Sequence, residues 1–157
     1  MAQFVIRLAV STDIEKILAI DPSVEARRTV VQGAINRSEC FVAEKNGVLL
    51  GYGVMNHGFF EHGFVRLVYV GAAHRRLGVA SCLFDEFEAQ CKTGRIFTST
   101  NLSNVPMQAF LVSRGYVLSG LVQDLDEADP EMSYSKRLRA GGTTIPERVD
   151  RSDTSSH

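Results

Sequence analysis

Residues Leu67 to Ser81 read LVYVGAAHRRLGVAS, and this stretch decides the fold. An apolar, β-branched run ends at Val70, a short loop follows, and from Gly78 the apolar period changes from two residues to 3.6. Strand, loop and helix therefore succeed one another, with Arg75 and Arg76 just ahead of the glycine. Physically, that junction is an anion site. First-turn N–H groups have no intrahelical partner, the helix dipole favours negative charge, and a glycine admits close approach of the backbone. The two guanidinium groups add charge and forked donors suited to phosphate. Small Ala80 and Ser81 keep the next turn open. Neither GxxxxGK[ST] nor GxGxxG is present, so ATP and NAD chemistry lose their best supports.

Upstream, Phe4 to Val10 alternates as a first strand, and Thr12 with Glu15 has the form of a capping box opening a helix that buries Ile14, Ile17 and Leu18. Asp21-Pro22 predicts the start of a second helix, through about Arg37. Strands Glu39 to Glu44 and Val48 to Met55 flank Asn46-Gly47, a strong hairpin signal. A turn around Glu61, His62 and Gly63 precedes a strand from Phe64 to Val70. Downstream, Ala80, Leu83, Phe84, Phe87 and Cys91 line one helix face. Arg95 to Thr100 reads as a strand, Ser103 as the cap of a helix with Pro106 in its first turn, and Gly115 as its stop. Tyr116 to Leu125 and Glu131 to Leu138 are two last strands around an acidic loop. The order is β-α-α-β-β-β-α-β-α-β-β. It specifies an α/β fold: a mixed, mostly antiparallel central sheet of about seven strands flanked by about four helices.

The chain of 157 residues has room for one ordinary domain, expected over residues 1–139. Residues 140–157 hold few aliphatic side chains and are expected to form a flexible C-terminal tail. No apolar run reaches the ~18 residues of a membrane helix, and MAQFVIRLAV does not read as a signal peptide. A net charge of −1 argues against nucleic acid as a partner. Cys40, Cys82 and Cys91 include no CxxC pair, so neither a disulfide framework nor a zinc knuckle is expected. The expected address is cytoplasmic.

The sequence resembles the GNAT superfamily of acyl-CoA-dependent N-acetyltransferases. Their pyrophosphate loop, [Q/R]-x-x-G-x-[G/A], is matched by Arg75-Arg76-Leu77-Gly78-Val79-Ala80, and the family's upstream valine by Val70. A later N-x-x-A…G-[F/Y] element is matched by Asn104 and by Gly115-Tyr116. The resemblance spans roughly residues 4 to 138. It implies acetyl-CoA as cosubstrate, no metal, and direct attack of an amine on the thioester in a ternary complex. Val68, Tyr69 and Val70 would hold pantetheine through their backbone, and Arg75 to Ser81 would surround the pyrophosphate. Asn101 and Asn104 would bond the pantetheine arm, and a main-chain N–H near Tyr69 or Val70 would polarise the carbonyl. A monomer or a homodimer is expected.

Three departures concern catalysis. Leu111 stands where many members have the tyrosine that protonates the thiolate, Ser99 where N-terminal acetylases place a glutamate base, and Phe64 where histone-type members have theirs. The catalytic acid and base are therefore not assigned; Tyr69, Glu61 and His62 are the candidates. His57, Glu61 and His62 lack the spacing of a closed metal site. The five carboxylates between Asp124 and Glu131 suggest a rim that attracts a cationic amine, or only a soluble connection. The alternative to an enzyme is a non-catalytic acyl-CoA-binding or regulatory module.

Overall fold

The computed structural model describes residues 4–138; the expected tail, 140–157, lies outside the described residues. Seven strands form one sheet in the order β1-β2-β3-β4-β5-β7-β6. These are β1 (Val5–Leu8), β2 (Cys40–Lys45), β3 (Val48–Phe59), β4 (His62–Val70), β5 (Arg95–Asn101), β6 (Val117–Val122) and β7 (Glu131–Arg137). The helices are α1 (Ile14–Ile20), α2 (Arg28–Asn36), α3 (Val79–Gln90) and α4 (Val105–Ser113). Antiparallel pairing joins all neighbours except β4 and β5, which run parallel because α3 forms the crossover between them. No helix among the described residues is long and apolar enough to cross a membrane.

Asn46 and Gly47 both take positive φ, 52° and 77°, the two-residue turn whose twist matches the flanking strands. The next hairpin differs from expectation. Its turn residues are Phe60 and Glu61, at φ 49° and 67°, so β3 runs four residues farther and β4 begins at His62. Residues of this type disfavour the left-handed region, which is why the sequence points to the later glycine instead.

The two sheet faces carry separate cores. Val79, Leu83, Phe84 and Phe87 of α3 pack with Val65, Ile96, Leu111, Tyr116 and Tyr134 on one face. On the other, Ile14, Ile17, Val24, Val31 and Ile35 cover Val42, Tyr52 and Val54. The buried stripe of α3 starts at Val79, one residue before the expected Ala80. The caps also differ. Thr12 and Glu15 form no reciprocal box; the Asp13 carboxylate accepts the Val10 N–H at 2.8 Å while pairing with Arg7. Arg7 holds the Asp13 carboxyl below the usual carboxylate range. Asp21 accepts from Ser23 N and Oγ and, deep in the second core, from the Tyr52 hydroxyl at 2.5 Å. A 3-10 turn over Val24–Arg27 precedes α2. Asn104, not Ser103, caps α4 by accepting the Met107 N–H.

Candidate functional site

Only Gly63, Phe64 and Val65 of β4 pair with β5, against Ile96, Phe97 and Thr98. Beyond that point the strands splay. The change of register between Val54 and Met55 leaves Arg66 as an extra residue on β4, a bulge at the vertex of the opening. From Arg66 to Val70, β4 has β3 on one side and no strand on the other. A free strand edge of this kind can take up an extended ligand through its unpaired backbone groups. Val65 to Val68, Thr98 to Thr100, Asn104 and Met107 line a gap of ≈ 160 Å³ between the parted strands.

The gap leads to a cleft of ≈ 500 Å³ at the start of α3, lined by Val68, Val70, His74, Arg75, Arg76, Gly78, Val79, Ala80, Ser81, Asn104, Pro106, Met107 and Phe110. Nine of the sequence candidates for cofactor binding thus converge on one concave surface. Gly78 has φ +85° and no protein atom within 4 Å of where a Cβ would stand, so the bare backbone faces open space. The N–H groups of Val79, Ala80 and Ser81 precede the first intrahelical bond, donated by Cys82 N to the Gly78 carbonyl. Arg75 and Arg76 are exposed beside them. Arg75 Nε lies 3.4 Å from the Val70 carbonyl oxygen, and its guanidinium 5.8 Å from the Tyr69 ring. Positive charge, unpaired donors and the absence of a Cβ fit a pyrophosphate, and the apolar flank of Pro106, Met107 and Phe110 fits the methylenes of an acyl carrier arm.

Other candidates fall elsewhere. Leu77 is exposed outside the cleft. The Tyr69 ring lies on the α1–α2 face, 6.2 Å from that of Tyr52, so only the Tyr69 main chain runs along the splay. The Asn101 side-chain amide donates to Asp126 Oδ2 at 2.8 Å and lines neither cavity. Glu61 sits in the β3–β4 turn and His62 Nδ1 lies 3.1 Å from Thr93 Oγ1, roughly 13 Å of strand before the bulge. Leu111 is fully buried, and Ser99 lines the gap. Tyr116 donates to Glu88 and is buried, with its pKa driven upward by desolvation and by that carboxylate, so it is no proton donor at neutral pH. Burial pushes the Cys40 thiol up to about 12, which removes it as a nucleophile. No group of three or more potential metal ligands occurs among the described residues.

Sequence reasoning missed His74, Pro106, Met107 and Phe110. A signal existed for the last three: they follow the Asn104 cap on an α4 that is apolar all round, more than one buried face requires.

A splayed parallel pair, a bulge at its vertex and an anion cradle on the crossover helix define an acyl-CoA-dependent transferase. The sequence matches the model of the acetyltransferase (GNAT) family over residues 6–116, and the chain belongs to that family. No curated protein matches the sequence. A GNAT-family acetyltransferase from Bacillus cereus is 30% identical, with a TM-score of 0.82 over 87% of this chain and 99% of that one. A Salmonella typhimurium protein whose structure holds its cofactor acetyl-CoA is 18% identical, with a TM-score of 0.67 over 92% and 99%. A ribosomal-protein-alanine N-acetyltransferase from Brucella melitensis is 20% identical, with a TM-score of 0.64 over 85% and 99%.

Proposed function

We propose that the protein transfers the acetyl group of acetyl-CoA to a primary amine, by direct attack within a ternary complex. The observation that carries this reading is the continuity of the Gly78 cradle with the free β4 edge and the bulge at Arg66. Acetyl-CoA, when bound, supplies a thioester whose carbonyl an amine attacks. The N–H groups of Val79, Ala80 and Ser81, with Arg75 and Arg76, hold the pyrophosphate. The main chain of Val68, Tyr69 and Val70 holds the pantetheine, and the Asn104 side chain stands beside it at the mouth of the gap. A main-chain N–H on this β4 edge is placed to donate to the oxygen that gains charge, in a site sheltered from water.

Among the described residues, no carboxylate or imidazole lines the gap. The amine therefore reaches the site neutral or loses its proton to water. The pH profile of kcat/KM follows the ionisation of the amine itself, shifting when an amine of different pKa is used. In the β6–β7 connection, Asp126 and Asp129 are occupied by Asn101 and Ser103, which leaves Asp124, Glu127 and Glu131 to draw a cationic acceptor.

The test is thiol release from acetyl-CoA across a panel of amines, with calorimetry of acetyl-CoA binding alongside. Acetylated product with any primary amine supports the enzyme. Tight acetyl-CoA binding without transfer to any amine marks a binding module instead.

A further inference from the structure

The sheet face bearing Leu67 and Tyr69 is covered by α1 and α2 only over β1 to β3 and the last part of β4. Farther along that face, Phe64 of β4 and Phe97 of β5 are cross-strand partners immediately before the splay and belong to neither core. Phe59 bridges them, stacked on Phe64 with centroids 5.1 Å apart and 5.0 Å from Phe97. Phe60 meets Phe59 edge-on at 5.0 Å and is 82% exposed. It also holds a left-handed φ of 49°, a conformation that a bulky side chain rarely adopts. Four phenylalanines thus form a wall that no element of the described fold covers.

The position of the wall names its occupant. On the same face of β5, Ser99 follows Phe97 by two residues and already lines the gap between the strands. On β4, Phe64 lies two residues before the bulged Arg66, roughly 7 Å of strand. The wall is therefore continuous with the place where the proposed transfer occurs. Arg66, exposed and without an ion pair among the described residues, stands between wall and splay. A second ammonium group on the acceptor would meet that cation, whereas an uncharged ring meets aromatic faces; Glu61 lies beyond the far end.

We infer that the acceptor is a monoamine with an aromatic body, whose ring lies on Phe59, Phe64 and Phe97 while its amino group reaches the splay. This rests on the acetyl-transfer reading and names the substrate class of that same site. Aromatic rings pack edge-on or offset against one another and bury apolar area in doing so, so the gain falls on binding of the acceptor rather than on the chemical step.

The experiment compares 2-phenylethylamine, n-butylamine and spermidine as acceptors for the full chain, with KM and kcat measured separately. The expected result is a KM for 2-phenylethylamine at least roughly tenfold below that of n-butylamine. In Phe97→Ala that advantage disappears while kcat and the acetyl-CoA Kd stay put. Phe97→Leu, which keeps an apolar side chain if alanine disturbs the fold, loses part of it. Equal KM values for the three amines, or a preference for spermidine, overturns the inference and leaves acetyl transfer standing. Failure with every amine overturns both. A change in oligomeric state on Phe97→Ala or Phe60→Ser with KM unmoved assigns the wall to a subunit contact and overturns the inference as well.

Discussion

The Asn101 side-chain amide donates to Asp126 Oδ2 at 2.8 Å, tying the end of β5 to the acidic connection between β6 and β7. Beside it, Asp129 accepts from Ser103 N at 3.0 Å and Ser103 Oγ at 2.6 Å, just ahead of the Asn104 cap. The connection thus positions the residue at the mouth of the gap. Asp129→Ala is expected to lower stability by about 1 kcal/mol, the usual loss of a side chain bonded to a backbone N–H at a helix start. The acetyl-CoA Kd should rise with it. Glu127→Gln, which touches neither anchor, should change neither the melting temperature nor the Kd. Differential scanning fluorimetry with and without acetyl-CoA measures both.

Two glycines with nearly the same backbone separate strain from function. Gly47 and Gly78 have φ of +77° and +85°, and neither has a protein atom within 4 Å of its Cβ position. Alanine at either site costs about 1 kcal/mol of conformational strain. Only Gly78→Ala should weaken acetyl-CoA, by roughly tenfold or more, because only there does the added carbon stand where phosphate approaches a helix start. Equal acetyl-CoA affinities in the two variants, measured by calorimetry, would remove Gly78 from the cradle.

Alkaline pH should destabilise the protein through two buried phenols. Tyr52 and Tyr116 are raised above the usual tyrosine value, each chiefly by burial and then by a carboxylate, Asp21 for one and Glu88 for the other. A raised pKa means that the unfolded chain releases these protons first. Their contribution is complete below about pH 10 and is lost as pH rises beyond it. Tyr52→Phe should reduce that loss, while costing about 1–3 kcal/mol at neutral pH because Asp21 keeps only Ser23 as partner. Urea unfolding at pH 7.5 and pH 10.5 reads both effects.

A histidine sets the acid side. His57 Nε2 accepts the Lys92 N–H at 2.9 Å, and burial, with Lys92 nearby, lowers its pKa below the ordinary 6.5. The unfolded chain therefore takes up the proton first. Stability should be full above about pH 6.5 and fall as pH drops through and below that value. In His57→Gln the step between pH 7.5 and 5.5 should shrink, whatever the offset in absolute melting temperature. An unchanged step would place the acid sensitivity elsewhere.

The strand order was legible because its signals are local. Asn46-Gly47 fixes one hairpin by dihedral preference, and the change of period at Gly78 marks the crossover helix that makes β4 and β5 parallel. The cradle was legible for the same reason, its parts lying within seven consecutive residues. What the chain hid depends on partners distant in sequence. Asn101 reads as a free amide until Asp126 arrives from the next connection, and Tyr69 as a cleft residue until β3 sets its ring beside Tyr52. Thr12 and Glu15 fit a capping pattern, but Asp13 outcompetes them because Arg7 comes close enough to pair with it. Phe60 and Glu61 carry no turn signal, and the hairpin forces them into the left-handed region.

Three residue pairs are all that stitch β1-β2-β3-β4 to β5-β7-β6. The protein is in that sense two half-sheets sharing a seam, and the seam is weakest where the reaction needs it open. A cosubstrate lodged against the free β4 edge acts as mortar, adding contacts to both halves that the unliganded chain lacks. Amide exchange at Ile96, Phe97 and Thr98 should accordingly slow on acetyl-CoA binding, more than exchange in the β2–β3 hairpin, and ligand release becomes coupled to the breathing of the whole sheet.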